Sequence, residues 1–282
     1  PYWVQQLIEE TSIKGKLYLA SGDLTNRTIE QVWCIFANDT MRENMGLEDP
    51  VDLVHAGTWT KDVMNTMITG VYQDTDGDQT KSAGDTYGLI IHDANCTFPF
   101  LNAFEISYTT LNDEGYPELT FYNEKTIEAW EYLMNWCFNI PDAVYGGEGR
   151  AYIDMGSAFE EGRSLFNVGA FASVKGCVEN MEDSFAILPM PKWDEDQDRH
   201  YTIVGGGAVA EAVLQTASNL ELIGAVTEAL NAEGWKNLVP AYYDITLKYK
   251  GVRDEESIAM LDQILEDRIY DFGYVYGGWN SA

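Results

Sequence analysis

Between Phe159 and Gly207 the chain reads FEEGRSLFNVGAFASV and, further on, FAILPMPKWDEDQDRHYTIVGGG, and the order of these parts narrows the folds open to it. A helix-like FEEGRSL leads into the short, mostly apolar run Leu165 to Val168, which predicts a buried strand. Gly169 then lets the backbone turn and presents Phe171 at an element end, the place where ligands sit in open α/β sheets. A second apolar run, Phe185 to Leu188, predicts another buried strand that stops at Pro189 and Pro191, which a central strand excludes. A charged loop follows. The chain returns through Tyr201 to Gly205, Gly206 and Gly207, which tolerate unusual backbone angles and close approach of another group, as a hinge or cleft wall requires. An ordinary glycine-rich loop would read the same way.

On either side, strand and helix patterns alternate. Leu17 to Gly22 and Val32 to Ala37 read as buried strands joined by a polar connection, Asp23 to Arg27. Thr60 opens a helix through Tyr72 with Val63, Met67 and Val71 on one face. Asn123 caps another, in which Ile127, Trp130, Met134 and Cys137 recur at helical spacing and read as core. Tyr87 to Ile91 and Leu119 to Tyr122 are further strand candidates. Ser218 to Ala232 reads as a helix, and Asp254 caps one carrying Ile258, Leu261 and Leu265. Such alternation predicts an α/β fold with sheets covered on both faces.

A chain of 282 residues exceeds one small core and suits two lobes. Its 46 acidic against 17 basic residues give a net charge of −29, which repels phosphate backbones and anionic lipid and points to an uncharged ligand. No run of ~18 apolar residues would span a membrane, and the opening PYWVQQLIEE has neither the basic start nor the apolar core of a signal peptide. Cys34, Cys96, Cys137 and Cys177 lack zinc-site spacing and read as small buried hydrophobes, their disulfide state undetermined by sequence. His55, His92 and His200 belong to no nucleophile or metalloprotease motif. The carboxylate pairs Glu160 with Glu161 and Asp194 with Glu195 could flank a glycosidic bond, yet so acidic a chain produces such pairs by chance. Aromatic residues beside glycine, proline and amides are the equipment of sugar binding, rings against C–H faces and polar groups on hydroxyls, although for any single ring core packing is the better reading.

Asp74 to Asp85, DTDGDQTKSAGD, sets carboxylates at the first, third, fifth and twelfth places of a calcium loop. Asp74, Asp76, Asp78 and Asp85 would be ligands, with Thr80 offering its backbone carbonyl. Gln79 occupies the place where a sharp turn favours glycine, and the loop runs into a strand, so this is not a complete EF-hand. A solvated acidic turn is the alternative.

Together GKLYLASGDL, GTWTKD, DTDGDQTKSAGDTYGL, FEEGRSLF, ILPMPKWDEDQDRHY and PAYYDITLKYKGVRDEESIAMLDQILEDRIYDFG make the chain resemble the extracellular solute-binding proteins of family 1, lipid-anchored capture proteins of ABC importers, mostly for sugars and oligosaccharides. The resemblance implies a two-lobed, class II periplasmic-binding-protein-like fold. It also implies that Pro1 falls part-way along a longer protein, so that lobe one is incomplete. Residues 1–29 and 205–269 would be partial lobe one, and 30–204 with 270–282 lobe two, with crossings near 23–30, 204–207 and 268–271. Phe171 would be a cleft aromatic, Asn95 and Phe98 cleft residues after a strand, Asp23 and Gly206 residues at lobe crossings, and Tyr242 and Tyr243 cleft or packing groups. Where relatives show FNK, this chain has FAND, which leaves that cationic position without its residue. The implied action is capture of a neutral sugar by hinge closure, by a monomer that delivers it to membrane permease subunits, with no bond broken and no cofactor beyond a structural calcium. A carbohydrate-active enzyme and a calcium-dependent interaction module are the rival readings.

Overall fold

The structure, a computed structural model, describes residues 2–146, 155, 157–244 and 255–277. It opens with helix α1 (Gln5–Thr11). The expected strand from Leu17 to Gly22 is absent: this segment makes only isolated bridges, Trp3 to Gly22 and Ala20 to Glu211, and leaves Leu17 and Tyr18 exposed. Its bridges go to different partners, so no ladder propagates. A single turn, α2 (Arg27–Glu30), leads to β1 (Trp33–Asn38), buried from Cys34 onward. Asn38 then caps α3 (Asp39–Met45), its side chain accepting the Met41 N–H, and Asp49 caps α4 (Pro50–His55) in the same way.

Thr60 caps α5 (Lys61–Ile68), as its sequence predicts, but the helix stops at Thr69. Its buried face is Met64, Met67 and Ile68, and Val71 is buried from the extended segment beyond. The fully buried β2 (Tyr87–Ile91) follows, then α6 (Phe98–Ala103). A hairpin of β3 (Thr109–Leu111) and β4 (Pro117–Leu119) ends where a strand was expected to begin, and Tyr122 is 93% exposed. Asn123 caps α7 (Glu124–Phe138), yet the core side is Thr126, Ala129, Leu133, Trp136 and Cys137. Ile127 is exposed, so the helix is turned by one position from the larger apolar stripe.

Next come β5 (Ala143–Tyr145), β6 (Ser164–Ala170), α8 (Val174–Asn180) and β7 (Phe185–Leu188). FEEGRSL is not helical: residues 159–162 form turns, Gly162 has φ +73°, and Ser164 already belongs to β6. After β8 (Thr202–Ile203), α9 (Leu220–Glu233) is capped by Asn219. The expected cap Asp254 lies outside the described residues. Beyond it run α10 (Glu255–Glu266), with Met260, Leu261 and Ile264 buried, β9 (Arg268–Ile269) and α11 (Phe272–Tyr276).

The main sheet has the order β5-β2-β6-β1-β7. β2 is parallel to β5 and β6, whereas β1 is antiparallel to β6 and β7, with Ile35 opposite Val168 on one side and Leu188 on the other. Helices α3, α4, α5, α7 and α10 pack against it, which is why its strands are apolar along their length rather than alternating. Gly88 is what lets α5 lie against β2, since a Cβ there would meet Ile68 at 2.5 Å. Asp142 pins the same contact, one carboxylate oxygen accepting the N–H groups of Gly70 at 3.0 Å and Tyr72 at 2.9 Å.

Two lysines are enclosed beside it. Lys61 lies over the rings of Trp193 (4.2 Å) and Tyr132 (4.9 Å) and pairs with Asp62, while Lys192 donates to the carbonyls of Gln197 and Glu195. All four cysteines are free and buried, which bears out their reading as small hydrophobes. No helix among the described residues is long and apolar enough to cross a membrane.

Candidate functional site

Because β2 and β6 are parallel, Ile91 and Ala170 finish on the same edge of the sheet, and β1 starts there with Trp33 opposite Ala170. The Phe171 N–H donates to the Val32 carbonyl at 3.0 Å, and the Gly205 N–H to that of Gln31 at 2.7 Å. The Tyr274 hydroxyl accepts from the Gly206 N–H at 3.1 Å, and the Tyr242 hydroxyl donates to the Phe171 carbonyl at 3.4 Å. These bonds set the starts of the Phe171 turn and of the Gly205–Gly206 segment beside Gln31 and Val32, with Tyr242 on Phe171 and Tyr274 on Gly206.

The glycines act by size alone. None of Gly205, Gly206 and Gly207 adopts the left-handed region, but a Cβ on Gly205 would lie 2.9 Å from the Trp33 indole nitrogen and one on Gly207 2.5 Å from the Gln31 side-chain oxygen. Gly169 makes no turn either. It lies inside β6, where a Cβ would press on the Phe36 ring at 2.8 Å.

Phe171 itself is fully buried and part of the core, so its ring turns no face to a ligand in this conformation. The burial follows from its place at the start of a 3₁₀ turn folded back under Tyr242. Asn95 is exposed beyond β2, with its N–H held by Asp93 at 2.8 Å. Phe98 is half-buried and packs on Tyr108 and Trp130, each 6.4 Å away, which directs it toward α7. Tyr243 donates to Asp262 of α10 at 2.7 Å. Asp23 lies against the end of α9, where a Cβ on Gly234 would collide with its carbonyl oxygen, and burial pushes its carboxyl above the ordinary value.

Sequence reasoning missed a polar pair at this edge. Asn167, buried within β6, meets His92 just past β2, with Nε2 and Oδ1 2.8 Å apart. An amide inside an otherwise apolar strand was the available signal, because a buried polar group must find a partner. Tyr145 and Trp33, half-buried at the ends of β5 and β1, belong to the same edge. Amides, an imidazole and rings can hold hydroxyls and C–H faces. The thiols are poor nucleophiles: burial pushes Cys96 up to about 11, and Cys137 and Cys177 up to about 12.

The acidic loop is ordered by its own backbone. Asp74 accepts the N–H groups of Gly77 (2.7 Å) and Gln79 (2.8 Å), Asp76 that of Asp78, and Asp78 that of Thr80. Gln79 takes φ +62°, the sharp-turn conformation for which glycine was expected. Asp74, Asp76 and Asp78 each direct an oxygen to within 4.8 Å of the others, which suits a hard cation. The Asp78 N–H favours ionised Asp76, yet desolvation and the carboxylates of Asp78 and Asp74 leave its carboxyl above the ordinary value. Asp85 stands apart, fully buried, accepting from Thr75, Ser82 and Tyr72. Burial alone would raise its carboxyl, but the Thr75 and Ser82 N–H groups outweigh it, and Asp85 is held low as the base of the loop.

No protein-family model matches the chain, and no curated protein matches it. Solved structures do. UspC of M. tuberculosis aligns at 14% identity over 95% of this chain and 68% of its own, with a TM-score of 0.60. The ABC substrate-binding protein Lmo0181 of Listeria monocytogenes, in complex with cycloalternan, aligns at 11% over 95% and 64%, also at 0.60. The maltose/maltodextrin-binding domain MalE of Bdellovibrio bacteriovorus, bound to maltotriose, aligns at 14% over 94% and 65%, at 0.55. The chain therefore has the α/β fold of ABC substrate-binding proteins, and it spans about two-thirds of the length of these structures.

Proposed function

We propose that this chain is the substrate-binding component of an ABC importer of the family 1 type, capturing a neutral sugar or oligosaccharide outside the cell and passing it, unaltered, to a membrane permease. The observation that carries the reading is a fold shared along nearly the whole chain with proteins solved on maltotriose and cycloalternan. The edge groups Asn95, His92, Asn167, Trp33 and Tyr145, amides, an imidazole and rings, support it, as does the net charge of −29, which disfavours anionic ligands. We place lobe crossings near 23–30, 204–207 and 268–271. Support comes from the parallel pairing of β8 with β9 and the Val32–Val204 bridge, which set residues 202–204 beside 268–269 and beside Val32, just past the first crossing. Closure would follow from ligand contacts that only the closed state completes. In this reading the protein acts as a monomer held at the cell surface by a lipid.

A thermal-shift screen against mono- and oligosaccharides tests this. A ligand at about 100 times its dissociation constant adds about 2.7 kcal/mol to folding and raises the melting point. No shift with any glycan would sink the sugar reading, and release of reducing ends would turn it into an enzyme.

We also propose a structural calcium on Asp74, Asp76 and Asp78 with the Thr80 carbonyl, supported by the convergence of three carboxylates. Bound, the ion would offset their mutual repulsion and fix the loop between α5 and β2. Calcium titration by calorimetry should give a saturable heat that Asp76→Asn removes. The absence of heat up to about millimolar ion, the weak end of protein calcium sites, would reject it.

A further inference from the structure

A cavity of about 480 Å³ lies between α1, the end of α6, strand β3, the Arg199–Tyr201 segment and β9. Four carboxyl groups line it, Glu9, Glu10, Glu105 and Asp271, against one guanidinium, Arg199. Three of these charges are already engaged. Arg199 faces Asp267 at 3.7 Å and the Tyr201 ring at 4.6 Å, Glu105 pairs with Lys125 at 3.2 Å, and Asp271 accepts the N–H groups of Tyr108 and Tyr274. Glu10 is different: one oxygen accepts the Tyr270 N–H, and the other has no hydrogen-bond partner among the described residues.

The wall contains two more unmet groups. Asn102 is 1% exposed and Tyr270 2%, both line the cavity, and neither the Asn102 Oδ1 nor the Tyr270 hydroxyl has a hydrogen-bond partner among the described residues. Buried polar atoms are seldom left without partners, so both point to a ligand with hydrogen-bond donors. The excess of carboxylate, with Glu9 and Glu10 left without a cationic partner among the described residues, favours a positive ligand.

We propose that this cavity is a binding site for a small organic cation bearing a primary ammonium, of the aliphatic diamine class, separate from the sheet edge that we assign to sugar. An ammonium offers three N–H donors and one charge, which match the free Glu10 oxygen and the Asn102 carbonyl. Burial raises the Glu10 carboxyl to about 7, against the opposing influence of the Tyr270 N–H and Arg199, and with Asp271 and Glu9 adding to the rise. Glu105, Tyr201 and the Tyr270 phenol, itself pushed up to about 12 by burial, complete the titratable groups lining the cavity. Binding therefore tightens as pH rises and Glu10 ionises.

Calorimetric titration of the protein with putrescine at constant ionic strength tests the proposal. We expect one saturable site whose affinity rises by up to about tenfold from pH ~6 to pH ~8, the ratio of ionised fractions for a group titrating near 7. Glu10→Gln should abolish it, with an unchanged circular-dichroism spectrum reporting an intact fold. Glu9→Gln, on the exposed side of α1, should weaken it several-fold, and Asp76→Asn should leave it intact. The proposal is overturned by the absence of saturable heat up to about 10 mM, the limit of weak binding. It is equally overturned by unchanged affinity in Glu10→Gln, or by heat only from magnesium or from a lysine-bearing peptide.

Discussion

At Phe171 an aromatic residue after a strand was expected to face a cleft, and the structure instead encloses it beneath Tyr242. Truncating a fully buried ring removes its transfer energy and leaves a cavity. Phe171→Ala should therefore cost about 3 to 5 kcal/mol in urea denaturation. A loss below about 1 kcal/mol would mean that the ring is not packed as described. His200 offers a second test. It is 3% exposed, its Nδ1 lies 3.0 Å from the Met190 carbonyl, its Nε2 has no partner among the described residues, and burial, aided by Lys192, lowers its pKa to about 4. The unfolded chain takes up this proton near 6.5 and the folded one only near 4, so stability falls as pH drops through that window. In His200→Gln that part of the acid-side decline, on the order of 3 kcal/mol, should be missing from melting curves taken between pH 6.5 and 4.

Among the elements, what could be read in advance was what adjacent residues decide. Val32 to Ala37, Tyr87 to Ile91, Leu165 to Val168 and Phe185 to Leu188 are apolar runs bounded by turn residues, and each became a strand of the main sheet. The caps Thr60 and Asn123 were equally plain, because the hydrogen bond they make is local. Features that depend on distant partners were not legible. Leu17 to Gly22 has strand composition but only scattered bridges, and α7 chose the face whose small Ala129 fits the core rather than the larger Ile127 stripe. The site shared that fate: the edge depends on strand order, and neither the partnership of Asn167 with His92 nor the burial of Phe171 is written in neighbouring residues. Asp142 likewise owes its role to α5, distant in sequence. Asp142→Ala would strand the N–H groups of Gly70 and Tyr72, and we expect a loss of about 2 to 3 kcal/mol, with faster hydrogen exchange confined at first to residues 69–73.

Over the whole molecule, a net charge of −29 makes self-repulsion a standing cost of the compact state. Raising sodium chloride from about 0.01 M to about 0.15 M shortens the screening length from about 30 Å to about 8 Å and should raise the melting point. A falling melting point would show that local ion pairs outweigh the overall field. Against such scarcity of positive charge, Lys61 beneath its aromatic rings and Lys192 among carbonyls are withdrawn from solvent. An amine-acylating reagent will consequently modify surface lysines first and reach these two only when the surrounding packing gives way. Their labelling by mass spectrometry thus supplies a built-in gauge of when the interior opens.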